Sequence, residues 1–105
     1  MPYVDNQIRD ELDEHIDALI EAIVNECGNT MDAAGIVNYT LTSILVNVMN
    51  RVSTKINQPN YATQALFAGV LSHMQLELYR RITSIYEGKK IYENGDLPEF
   101  SDYKP

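Results

Sequence analysis

The densest chemistry in this sequence lies between Glu77 and Asp96, where three of the seven tyrosines and four of the eight Lys/Arg residues fall. Tyr79, Arg80, Arg81, Tyr86, Lys89 and Lys90 are the residue types that take a small phosphate-bearing ligand. Arginine offers phosphate a planar fork of donors, lysine offers a point charge, and tyrosine offers a ring face for a base or cation. On a regular helix Tyr79 and Tyr86, seven residues apart, share one face two turns apart, with Arg80 or Arg81 between them. The same cations also have a structural use. Near a helix C-terminus they complement the dipole and cap carbonyls, and Arg80 or Arg81 can pair with Glu77. The sequence leaves both uses open.

A second candidate surface is acidic. Asp10, Asp13, Glu14, Asp17 and Glu21 line the polar side of the first helical pattern, and Asp13, Asp17 and Glu21 would form its docking face for a basic protein partner. Against that stands the ordinary solvated face of an amphipathic helix. Metal chemistry has less to work with. Glu11 and His15 are spaced i, i+4, as are His73 and Glu77, so two neighbouring helices could bring four ligands together. A solvated His15 and a structural His73 account for the same residues. The carboxylate pattern of all-helical nucleotide pyrophosphatases is half present in Glu11 and Glu14, but the second helix offers Glu77 alone. Cys27, the single cysteine, has no His–Asp context and reads as a core thiol at a helix end. There is no glycine-rich phosphate loop. These residues favour binding over turnover and require neither a metal nor a cofactor.

Charge sharpens the contrast between the two ends. The net charge is −7, and residues 1–28 account for all of it, with eight acidic side chains against Arg9. The remaining residues hold seven acids and seven bases. Such a balance argues against nonspecific nucleic-acid binding, which depends on neutralised phosphates. One cysteine permits no internal disulfide. No basic-plus-apolar leader opens the sequence and no apolar run reaches the ~20 residues of a membrane span, so a soluble protein of cytoplasmic type is expected.

The elements that must position these residues are helices. An arm, Met1 to Val4, precedes Asp5, a fair N-cap for a helix over about 5–27. Ile8, Leu12, Ile16, Leu19, Ile20, Ile23 and Cys27 form its apolar stripe, and Gly28-Asn29 ends it. A second helix is expected over about 32–57, capped by Thr30 or Asp32, with a wider stripe running from Ile36 to Ile56. Small uncharged residues lie between its apolar positions, as expected where another helix or subunit approaches. Tyr39 and Tyr61 read as core or interface residues. Pro59-Asn60 connects to a third helix over about 61–87, capped by Asn60 and ended by Gly88. On it Ala62, Ala65, Gly69 and Ser72 form a small-residue strip, and close packing is the expected reason for Gly69. The tail, 88–105, is expected to be extended over Lys89 to Asp96, to turn at Asn94-Gly95, and to dock through Phe100 or stay loose.

Several of these segments carry a resemblance. Pro2-Tyr3, Arg9-Asp10 with Leu12-Asp13, Asn38-Tyr39 with Thr42, Gly69-Val70-Leu71, Leu76-Glu77-Leu78-Tyr79-Arg80-Arg81, Tyr86-Glu87 and Glu93-Asn94-Gly95-Asp96 lie in order along nearly the whole chain. In them the chain resembles a family of short, functionally uncharacterised proteins of bacteriophages and bacteria. It departs from the family pattern at Thr63, Gln64, Ala65 and Leu66, where members tend to carry Arg-Ile-Asn-Glu. The resemblance implies a helical fold and a phage or mobile-element setting, and brings no activity.

The expectation is therefore an all-α single domain, a three-helix antiparallel bundle with extended N- and C-terminal arms, completed by homo-oligomerisation. Functionally it reads as a phage-type accessory protein that captures a small nucleotide-like signal and blunts host defence. The alternative is an acidic interaction module that inhibits or adapts a host protein.

Overall fold

The computed structural model describes residues 2–53 and 58–103, and every regular element among them is helical. Helix α1 spans Asn6–Glu26, α2 Thr30–Val52 and α3 Tyr61–Leu78. A π turn, Tyr79–Thr83, joins α3 to α4, Ser84–Asn94, and a short 3-10 turn follows at Pro98–Phe100. The expected end of the second helix at Thr54 to Asn57 lies outside the described residues. No helix among the described residues is long and apolar enough to cross a membrane.

Caps explain most of the boundaries. The Asp5 carboxylate accepts from the Ile8 N–H at 3.0 Å, satisfying one of the donors that a helix start leaves orphaned. Just before it, Arg9 Nε donates to the Val4 carbonyl at 3.0 Å and turns the N-terminal arm back along α1. Helix α2 is capped one residue earlier than expected. Asn29, and neither Thr30 nor Asp32, supplies the acceptor, taking the Asp32 N–H at 2.8 Å. Its extended backbone leaves the Asn29 side-chain oxygen over the first turn. Asn60 does the same for α3 through the Thr63 N–H, also at 2.8 Å.

The C-terminal expectation is corrected. The helix does not stop at Gly88, and Lys89 to Asn94 are helical, not extended. One glycine costs a helix about 1 kcal/mol and is not by itself a terminator. The stop comes at Gly95, whose φ of +86° and ψ of 156° suit glycine almost alone, while its N–H bonds back to the Ile91 carbonyl at 2.8 Å. Residues 96–103 fold into a hook held by bonds from Phe100 N–H to the Leu97 carbonyl and from Tyr103 N–H to the Phe100 carbonyl.

The chain forms two structural units, Met1–Gly69 and Val70–Pro105. In the first, α1 and α2 contact each other, and half-buried Ile23, Cys27, Ala33 and Ile36 lie on both sides of their connection. Cys27 is thus only half-buried, its thiol donating to the Ile23 carbonyl at 3.0 Å. No described residue of the chain is buried. Tyr39 and Tyr61, expected in a core or an interface, are 77% and 83% exposed and belong to no intrachain core. Gly69 likewise has open space where a Cβ would stand. No described residue makes the close packing expected there.

Candidate functional site

All six residues of the Tyr/Arg/Lys cluster belong to the second unit, where the π turn sets their geometry. The Ser84 N–H reaches the Tyr79 carbonyl, a span of five residues that inserts one extra residue into the helical ladder. The Ser84 hydroxyl donates to the Arg80 carbonyl at 2.7 Å, giving an acceptor displaced by the insertion a partner. One consequence is a correction. With the extra residue between them, Tyr79 and Tyr86 no longer return to the same face as they would on an unbroken α-helix.

The four cations divide into two pairs. Arg80 is clamped to Glu77, with Nε and Nη2 donating to Oε1 at 3.1 and 3.0 Å and Nη2 also to Oε2 at 3.1 Å. This is the structural pairing that the spacing allowed. Lys90 pairs with Glu93 at 3.1 Å and lies 5.6 Å from the centre of the Tyr86 ring. Arg81 and Lys89 have no ion pair with any described residue. Exposed pairs such as Arg80–Glu77 contribute about 0.2–1 kcal/mol, so their main effect is to hold the guanidinium plane in one orientation.

Beyond the cluster, the hook creates a groove that the sequence reading missed. Glu87, Lys90, Ile91 and Asn94 of α4 face Gly95, Asp96, Leu97 and Phe100 around an open cavity of about 370 Å³. Phe100 stands edge-on to Tyr103, with ring centroids 6.2 Å apart and planes at 72°. Lys90 is the one cluster member that lines this groove. Asn94-Gly95 signalled the reversal. Reading Lys89 to Asp96 as extended hid the helix wall against which the hook closes.

The other candidates are placed as follows. Asp13, Asp17 and Glu21 are exposed on α1 and have no ion pair with a described residue. Asp13 also edges a groove of about 510 Å³ between the N-terminal arm and α1. His15 Nε2 lies 3.7 Å from Glu14 Oε1, and Glu77 is taken by Arg80. No three His, Cys, Asp or Glu side chains converge on a cation-sized site among the described residues.

No curated protein and no solved structure matches the chain. A family model does, from the first residue through the Gly95 turn and into the hook, across residues 1–97. The chain belongs to the family described as Domain of unknown function (DUF6899).

Proposed function

We propose that the protein is a homo-oligomeric binding protein that captures a small anionic, nucleotide-like ligand at the Tyr/Arg/Lys end of α3 and α4. The observation that carries this reading is the contrast between Arg80, held by Glu77, and Arg81, on the same π turn but with no ion pair to a described residue. One oriented guanidinium beside one free guanidinium suits a phosphate, and Lys89 adds a second uncommitted charge. π turns within helices are frequent at functional sites, which lends further support. The tyrosine rings of Tyr79 and Tyr86 offer stacking faces, now on different sides of the helix. In the phage setting implied by the sequence resemblance, such capture withdraws a signal from host defence. Helices with no fully buried residue among those described would complete a bundle with copies of themselves.

Calorimetric titration with a panel of nucleoside mono-, di- and triphosphates tests the site. Arg81→Ala should weaken binding at least tenfold without changing the assembled mass. Unchanged affinity in both Arg81→Ala and Lys89→Ala would overturn the assignment.

A second reading rests on the acidic face of α1, where Asp13, Asp17 and Glu21 stand exposed and free of ion pairs with described residues. Here the protein docks a basic host protein. Reversing the three charges should abolish capture of that partner from host extract, and retained capture would eliminate the reading.

A further inference from the structure

The first unit poses a packing problem that its own residues do not solve. Leu12, Ile16 and Ile20 on α1, and Leu41, Ile44 and Val48 on α2, lie on the two apolar stripes yet remain 42–49% exposed. Grooves lie open on both stripes, one bordered by Leu12 and Ile16 and the other by Ile44 and Val48. Each side chain leaves roughly 80 Å² of apolar surface uncovered. With Ile8, Leu19 and Val37, which are 37–43% exposed on the same stripes, the surface reaches about 700 Å², close to the ~800 Å² that each partner gives to a standard stable interface.

We infer that this surface is the interface with a second copy of the chain, α1 of one copy lying on α2 of the other and reciprocally. The inference deepens the oligomer component of the proposed function by naming its face. Three observations select a copy over a different partner. Along α2 no charged residue occurs from Ala33 to Asn50, so the face suits an apolar stripe such as the one α1 carries. A two-fold copy supplies one of matching length, because an isologous contact sets each stripe against its complement twice.

The polar side chains of α2 are also turned back on their own helix. Thr40 Oγ1 donates to the Ile36 carbonyl at 2.8 Å, Asn47 Nδ2 to the Ser43 carbonyl at 2.8 Å, and Thr42 Oγ1 to Asn38 Oδ1 at 3.1 Å. With these donors satisfied internally, the helix can be covered by a dry apolar surface without leaving them unpaired. Lastly, Asp10, Glu14, Asp17 and Glu21 lie on the polar side of α1, and the charged residues that edge its groove, Arg9 and Asp13, are of opposite sign, so two copies can meet along the stripes without stacking like charges.

The test is the mass of the full-length protein by light scattering at micromolar concentration, with the melting temperature followed over a hundredfold dilution. The expected result is a mass at least twice 11.9 kDa and a melting temperature that falls on dilution. Ile16→Asp and Ile44→Asp should each lower the mass to that of one chain or abolish the helical signal. A wild-type mass of 11.9 kDa with concentration-independent melting would overturn the inference. So would an assembly that survives both substitutions. Arg81→Ala belongs to the ligand reading and should leave the mass unchanged, so the two proposals fail separately.

Discussion

Gly95→Ala isolates the hook from the rest of the chain. At φ +86° and ψ 156°, Gly95 sits in a backbone region that costs a residue bearing a Cβ on the order of 1–3 kcal/mol. No atom crowds the site, since nothing lies within 4 Å of a Cβ built there, so the effect is conformational and not steric contact. What resists it is local. Phe100 is 53% exposed, and covering the other half of an aromatic side chain removes about 70–120 Å² from water, worth roughly 2–3 kcal/mol. The opposing quantities are therefore similar in size, and the substitution should release the hook in a large fraction of molecules. α4 should persist to about Ile91, where its own ladder no longer depends on Gly95. Hydrogen exchange followed by mass spectrometry reads this directly. The amides of Phe100, Ser101 and Tyr103, bonded within the hook, should exchange about ten- to a hundredfold faster, while those of α1 and α2 keep their rates. Unchanged protection of the hook would refute the reasoning, because the glycine conformation would then not be what closes the groove.

Other substitutions test the elements that carry the site. Asn29→Ala and Asn60→Ala each remove a 2.8 Å capping bond and should each lower stability by about 1 kcal/mol, seen as a lower denaturation midpoint with an unchanged slope. Gly88→Ala lies inside α4 with open space around it, so it should raise stability by about 1 kcal/mol, and a loss would reveal a neighbour against that face. If Glu77 orients Arg80 for a ligand, Glu77→Gln should change thermal stability by less than about 1 kcal/mol. Its nucleotide affinity should nevertheless fall severalfold in the same calorimetric titration. Equal affinity would mean that the clamp has no part in binding.

The helical class and most element positions follow from local rules and were legible in the sequence. Ile8, Leu12 and Ile16 recur at helical spacing, Asp5 and Asn60 offer their oxygens to N–H groups three residues ahead, and Asn94-Gly95 marks the reversal. Such features depend on a handful of neighbouring residues, which is why composition and spacing expose them. The cap of α2 moved to Asn29 because several nearby side chains can serve and backbone geometry chooses among them.

The π turn lies beyond that reach. Nothing in Tyr-Arg-Arg-Ile-Thr distinguishes it from an ordinary helical turn, since every residue tolerates both, yet one inserted residue separates the faces of Tyr79 and Tyr86. The groove under Phe100 is equally a tertiary product, made only when a positive-φ glycine returns the chain against α4. Apolar periodicity determines that α1 and α2 each have a face to cover; it contains no information about what covers it. Only the fold decides that the chain leaves those faces half exposed, because burial depends on which surfaces meet in space and not on their order in the sequence.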